Sequence, residues 1–262
     1  MSINFAEEYS GRHRELLRYP TNIACRGMKL AYEQTFVQVC VETSYISIYS
    51  NARTRAFPIS FALAEFLWIM SQRDDLESLQ RFNAVMGKWS DDGIVLSGAY
   101  GPRIGDQISD GVIQRLKEDQ YTRQACATIY RENDSFKYTK DMPCNIWMQF
   151  IIRNDHLYLR VVSRSSDFVT GYPIDSFHWQ LLLTLVCNQL RKEAYPTLRV
   201  GDLTYEITSL HVYSGDGPHI ERIATTEIYR HEFDYALQIF STYKEVKELA
   251  IGSFHKCESL ED

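Results

Sequence analysis

Apolar and polar residues alternate along Phe36-Val37-Gln38-Val39-Cys40-Val41, the period of a half-buried strand. The run from Phe61 to Met70, entered through Pro58-Ile59-Ser60, is nearly all apolar, as a buried helix is, and Glu65 is the one carboxylate inside it. Asp106 to Lys117 fits a 3.6-residue period with Ile108, Val112, Ile113 and Leu116 on its inner side. Ala125 to Tyr130 reads as a strand. Ile146 to Ile152 and Leu157 to Val162 are two further strands, joined by a short turn at Arg153-Asn154-Asp155. A helix is predicted to open near Asp175 and to run through the long apolar stretch Ser176 to Gln189. Leu198 to Tyr205 reads as a strand around a turn at Gly201-Asp202. Thr208 to Tyr213 alternates again and puts His211 and Tyr213 on one face.

The polar stretches divide these elements. Residues 1–20, basic around Arg12, His13, Arg14 and Arg18, predict a solvated first helix. Asp74, Asp75, Glu77 and Arg81 read as surface, Trp89 to Gly93 and Gly98 to Arg103 as turns, and Arg131 to Asp141 as a charged loop. No repeat, low-complexity stretch or linker divides the chain, so residues 1–262 are expected to form one domain.

The formal net charge of −6 gives no general attraction to nucleic acid. No apolar run is long enough to span a bilayer, and the start, Met1 to Glu8, lacks a secretory signal's basic and apolar regions. The six cysteines are scattered, with no CxxC pair and no zinc-type spacing, which predicts free thiols in a reducing cytoplasm and no metal.

Candidate chemistry gathers around the strand ends. Met142-Pro143-Cys144-Asn145 precedes one strand, Ser163-Arg164-Ser165-Ser166-Asp167 follows the next, and Gly171-Tyr172-Pro173-Ile174-Asp175 leads into the helix. A thiol, a guanidinium, hydroxyls and two carboxylates in that order suit chemistry on a phosphorylated, electron-poor ring. Glu65 is expected either to be paired structurally or to handle protons, because a buried carboxylate is costly without a partner.

These pieces, with Glu65-Phe66-Leu67-Trp68, Gly98-Ala99-Tyr100-Gly101, Thr122-Arg123, Gln149-Phe150 and His211-Val212-Tyr213-Ser214, resemble the thymidylate synthase family in order and spacing. The resemblance implies an α+β fold, a mixed β-sheet layered with helices, and a homodimer. It implies a pyrimidine nucleoside monophosphate and 5,10-methylenetetrahydrofolate as substrates. By the same resemblance Cys144 is the nucleophile, Glu65 the proton-handling carboxylate and Tyr100 a residue near the reacting C5. Arg26, Arg164, Ser165, Ser166 and Gln149 are substrate ligands, Arg123 reaches the partner subunit's phosphate, and His211 and Tyr213 hold the sugar. Asp167 and Glu65 contact folate, with Trp89 as a stacking surface.

The chemistry needs these types. A thiolate adding to C6 turns C5 into a carbon nucleophile that attacks the one-carbon unit. Arginines near the sulfur favour the thiolate, and their planar fork suits a phosphate.

Several positions depart from the family pattern. Asp175 stands where members acting on uracil have Asn. Asn pairs with uracil's N3–H and O4, whereas a carboxyl sharing one proton with the ring suits cytosine. Asp175 therefore points to the cytidylate hydroxymethylase branch, the other reading being a helix cap. Asn145 replaces a His, Gln124 the second of two arginines, Ser163 a Gln, and Met86 a Trp over the folate. An acidic stretch, Glu258 to Asp262, stands in place of an apolar tail. The loosened folate grip predicts water addition, hence a hydroxymethyl product on dCMP or CMP. The alternatives are a methylase of the same nucleotide, a thymidylate synthase acting on dUMP, and a catalytically silent nucleotide binder. Intact Cys144, Glu65, Tyr100 and Arg164 argue against the last.

Overall fold

The computed structural model describes residues 5–25, 27–43, 46–48, 57–218, 220–221, 235–237 and 241–258. The candidate phosphate ligand Arg26 and residues 259–262 of the acidic tail lie outside them.

The strand-forming runs build one sheet. They are β1 (Ala24–Cys25), β2 (Met28–Glu42), β4 (Cys126–Thr128), β5 (Asn145–Arg153), β6 (His156–Ser163), β7 (Ser166–Asp167) and β8 (Arg199–Tyr213). Their order is β1-β2-β8-β6-β5-β4, with β7 on the end of β8. A second small sheet pairs β3 (Ile46–Ile48) with β9 (Tyr235–Leu237). All the large sheet's pairs are antiparallel except β6 with β8 and β7 with β8, so the sheet is mixed. Parallel neighbours need a crossover, and α6 (Gly171–Glu193) is that crossover between β6 and β8.

Further helices among the described residues include α1 (Phe5–Leu16), α2 (Ile59–Met70), α3 (Leu76–Gln80), α4 (Gly101–Asp106), α5 (Ile113–Glu118) and α7 (Tyr243–Glu258). A wide-turn segment, Gln107–Val112, makes α4 and α5 continuous. One apolar core joins these helices to the sheet, with Phe66, Trp68, Phe150, Trp179 and Tyr205 inside it. The expected α+β mixed sheet layered with helices is what forms. No helix among the described residues is long and apolar enough to cross a membrane.

Four local expectations are corrected. The crossover helix opens at Gly171, so Asp175 is its fifth residue and cannot cap it. Pro173 falls in the first turn, where its missing N–H costs nothing. Gly201-Asp202 is no turn, because β8 runs unbroken through it. Gly201 is there for close approach: a Cβ would meet Leu157 O at 2.8 Å and the Tyr158 ring at 2.9 Å. Tyr100 immediately precedes α4, so the turn at Gly98 passes straight into a helix. The first helix is not merely solvated. Glu8, Tyr9, His13 and Leu16 are buried, and Tyr172 Oη donates to the Glu8 carboxylate.

Candidate active site

The β5–β6 hairpin creates the site's centre. Asn154 and Asp155 both take left-handed backbone angles (φ 49° and 58°), as a two-residue hairpin loop of this kind requires. The resulting register pairs Arg153 with His156 and Asn145 with Ser163. Cys144, just before β5, and Arg164, just after β6, are therefore neighbours despite nineteen intervening residues. The Cys144 carbonyl accepts from Arg164 N at 2.9 Å and from Ser163 Oγ at 3.0 Å. Arg164 Nε donates to Pro143 O at 3.0 Å and Nη2 to Met142 O at 2.8 Å. Nη2 also lies 3.8 Å from Cys144 Sγ.

Cys144 opens into a pocket of about 520 Å³ whose walls include Glu65 from α2, Tyr100 ahead of α4 and Asp175 from α6. Thus the four expected catalytic residues come together from four separate parts of the chain. Trp68, Met86, Leu96 and Pro143 supply the apolar wall, and Asp141 and His178 further polar groups. A second, more open cavity shares Met142 with the first and contains Arg164, Lys137 and Lys140. A base beside Cys144 and an anionic group beside Arg164 would occupy adjoining spaces.

The pocket's carboxyls are perturbed differently. Burial pushes Glu65 up to about 8, and the charges of Asp175 and Asp141 push the same way. Glu65 therefore holds its proton at neutral pH. Burial raises Asp175 only to about 6, because donated hydrogen bonds from Asn145 and Tyr205 favour its charged form. Two carboxyls set apart in this manner can divide acid and base roles. Asp141 is also raised by burial, although Gly98 N donates to its Oδ2 at 2.7 Å. His178 Nε2 donates to Ala62 O at 2.8 Å, and burial lowers the ring to about 4. The imidazole is thus neutral, and its 3.9 Å approach to Glu65 Oε2 is not an ion pair at neutral pH.

Below these groups is a buried network that residue-by-residue reading did not assign. Asn145 Nδ2 donates to Tyr100 Oη at 2.8 Å and to Asp175 Oδ2 at 3.1 Å. Tyr205 Oη reaches Asn145 Oδ1 at 2.8 Å and Asp175 Oδ2 at 3.2 Å. In the sequence Asn145 stands out only as a departure from His, and Tyr205 reads as an ordinary inward strand residue. His178 had a usable signal, since it lies three residues after Asp175 on one helix and so shares its face.

The other expected ligands lie elsewhere. Ser166, Asp167, His211 and Tyr213 form a group where β7 pairs with β8, Asp167 opposite His211. Asp167 accepts from Val169 N at 3.1 Å and from Thr170 Oγ1, which ties it into the entry of α6. Ser166 Oγ is buried without a partner among the described residues, and the His211 and Tyr213 rings meet edge to face at 5.0 Å. Ser165 lies between β6 and β7, its carbonyl accepting from Ser163 Oγ at 2.8 Å. Gln149 Nε2 donates to the carbonyl of Arg123 at 2.8 Å, and Arg123 itself is exposed before β4. Neither joins the walls of the Cys144 pocket. Met86 forms part of those walls, and Trp89 packs nearby against the core.

Residues 37–257 match the sequence profile described as thymidylate synthase. The chain belongs to the thymidylate synthase family. The family acts on C5 of a pyrimidine nucleoside monophosphate with methylenetetrahydrofolate as co-substrate. Among similar proteins, the deoxyuridylate hydroxymethyltransferase of Bacillus phage SP01 is 36% identical over 182 residues, 60% of this chain and 44% of that protein. The deoxyuridylate hydroxymethyltransferase of Pseudomonas phage M6 is 33% identical over 141 residues, 51% of this chain and 40% of that protein. A putative thymidylate synthase of Methanococcoides burtonii is 32% identical over 130 residues, 47% of this chain and 56% of that protein. The chain spans less than half the length of the two phage relatives. The pocket suits the family's folate in one respect: Trp68, Met86 and Leu96 give an apolar wall for a flat ring next to Cys144 and Glu65. Among the described residues no group of His, Cys, Asp and Glu is placed to hold a metal ion.

Proposed function

We propose that this chain hydroxymethylates C5 of a pyrimidine nucleoside monophosphate, with cytosine as the preferred base. The observation that carries this is the convergence of Cys144, Glu65, Tyr100 and Asp175 on one pocket, with the Arg164 guanidinium beside the sulfur. The Cys144 thiolate adds to C6, forming a C–S bond and moving the C5–C6 electrons onto C5. The folate, when bound, supplies the one-carbon unit that C5 attacks. Loss of the C5 proton, with the carbon–nitrogen bond breaking so that tetrahydrofolate leaves with the electron pair, would then give an exocyclic methylene on the base. Glu65, protonated at rest, donates to the ring or to a water, and as a base it takes a proton back. Water adds its oxygen to the methylene, the electrons return through C5–C6, and the C–S bond breaks. The names of the two phage relatives support the hydroxymethyl outcome. Met86 in the pocket wall, in place of an indole, supports entry of water.

Asp175 supports cytosine. Its Oδ2 accepts from Asn145 Nδ2 at 3.1 Å with Tyr205 Oη 3.2 Å away, and Oδ1 has no protein partner among the described residues. A carboxyl so placed can share a proton with N3 through one oxygen and accept from the 4-amino group through the other. A uracil deoxynucleotide is the second reading. The relatives are deoxyuridylate enzymes by name, and a neutral Asp175 could accept from uracil N3–H and donate to O4. A homodimer in which Arg123 serves the partner's site belongs to the same proposal, supported by its exposure away from its own pocket. A cytoplasmic location and a role in nucleotide biosynthesis follow from it. The test is turnover of dCMP, CMP and dUMP in parallel with methylenetetrahydrofolate, with Cys144→Ala as the control. Preference for dUMP over both cytosine nucleotides would reverse the base assignment, and product formation by Cys144→Ala would remove the covalent mechanism.

A further inference from the structure

The buried amide of Asn145 commits both N–H donors and one oxygen lone pair to three groups, Tyr100, Asp175 and Tyr205. Its two N–H bonds go to Tyr100 Oη at 2.8 Å and Asp175 Oδ2 at 3.1 Å, and its oxygen accepts from Tyr205 Oη at 2.8 Å. The opposite amide orientation would set its oxygen against a carboxylate oxygen, so the contacts fix which way it points. Asn145 is fully buried and cannot itself reach a ligand in the open pocket.

Two of its partners, Tyr100 and Asp175, line that pocket. Asp175 Oδ2 accepts from Asn145 Nδ2, and Oδ1 has no protein partner among the described residues. The Tyr100 oxygen accepts from Asn145, so its own proton stays available as a donor toward the pocket. Tyr205 is held from behind: its ring stacks on Tyr172 at 6.1 Å, Tyr172 stacks on Phe168 at 5.6 Å, and Phe168 stacks on Tyr9 of α1 at 4.7 Å. A well-satisfied polar network in a low-dielectric interior resists rearrangement.

We propose that Asn145, backed by Tyr205, is a positioning residue for base selection: it holds the Asp175 carboxyl in one orientation and leaves the Tyr100 proton to the pocket. This rests on the proposed role of Asp175 at the base edge, but the test separates the two. The measurement is kcat and KM for dCMP and dUMP in the wild type, Asn145→Asp and Tyr205→Phe, with melting temperature as the folding control. Asn145→Asp keeps the shape and removes both N–H donors. The ratio of kcat/KM between the two bases should move toward one by about tenfold or more, because a mispresented buried hydrogen-bonding group loses discrimination of that order. Tyr205→Phe should move it the same way by several-fold, with the KM of the preferred nucleotide rising more than kcat falls. A purely structural role would lower both nucleotides' kcat/KM together and leave the ratio in place. Should Asn145→Asp not fold, Tyr205→Phe decides. A wild type that prefers dUMP overturns the cytosine reading alone. An unchanged ratio in a folded variant overturns the role of Asn145, whichever base is preferred.

Discussion

Arg164 Nη2 lies 3.8 Å from Cys144 Sγ while Nη2 and Nε of the same guanidinium hold the carbonyls of Met142 and Pro143. One side chain thus fixes the backbone leading into the nucleophile and sets positive charge where a thiolate carries negative charge. A flexible lysine ammonium has no planar fork to do both. Arg164→Met should slow alkylation of Cys144 by iodoacetamide at neutral pH by about tenfold or more, and Arg164→Lys should recover only part of the rate. Peptide mass spectrometry of the Cys144 peptide gives the rate. An unaltered rate in a folded Arg164→Met would mean that the guanidinium does not act on the sulfur.

The pH dependence of base selection follows from Asp175, which burial raises to about 6. Among the described residues, Asn145, Tyr205, Tyr100, Glu65, Cys144, Asp141 and His178 are polar groups that share its network or its pocket. Below pH 6 the neutral acid can pair with either base edge. Above it, the carboxylate repels uracil O4, whereas cytosine can bring the shared proton on N3. The ratio of dUMP to dCMP dissociation constants should therefore widen as pH rises from 5 to 8, and Asp175→Asn should abolish the trend. Calorimetric titration across that range checks it. A flat ratio, or the same trend in Asp175→Asn, contradicts the assignment.

Glu65 should cost stability at high pH. Its folded carboxyl is raised from 4.5 to about 8, so the folded state holds the proton more tightly than the unfolded chain does. That contribution is fully present below about pH 4.5 and is lost as pH rises through 8. Glu65→Gln stays neutral throughout. It should match the wild type near pH 4.5 and exceed it by about 1–3 kcal/mol near pH 8, while losing most activity. Thermal unfolding at the two pH values measures the difference. A variant less stable than the wild type at pH 8 would show that Glu65 is well paired.

Much of this could be read from the residues. Apolar strand-like runs on either side of the Arg153-Asn154-Asp155 turn predict the β5–β6 hairpin, and the hairpin's register makes Cys144 and Arg164 neighbours. The residues that converge on Cys144 were found because each motif keeps its order along the chain. The start of α6 was obscured because Gly171 and Pro173 usually punctuate turns, although a proline in a first helical turn is harmless. Gly201 misled for a related reason: the glycine serves a close strand–strand approach rather than a bend. Glu8 looked solvated because its partner, Tyr172, is far away in sequence. The segment Arg131 to Asp141 looked like a plain charged loop, but Asp134 is buried against Arg103 at 2.5 Å. Asn145 and Tyr205 carry no local signal, since their importance lies in a network assembled from different strands.

The most direct test is the fate of the one-carbon unit. Purified protein is given dCMP and methylenetetrahydrofolate, the near-ultraviolet absorbance of dihydrofolate is followed, and the nucleotide product is weighed by mass spectrometry. The account predicts 5-hydroxymethyl-dCMP with tetrahydrofolate returned unoxidised. A methylated base accompanied by stoichiometric dihydrofolate would contradict it, as would no covalent change to any pyrimidine nucleotide.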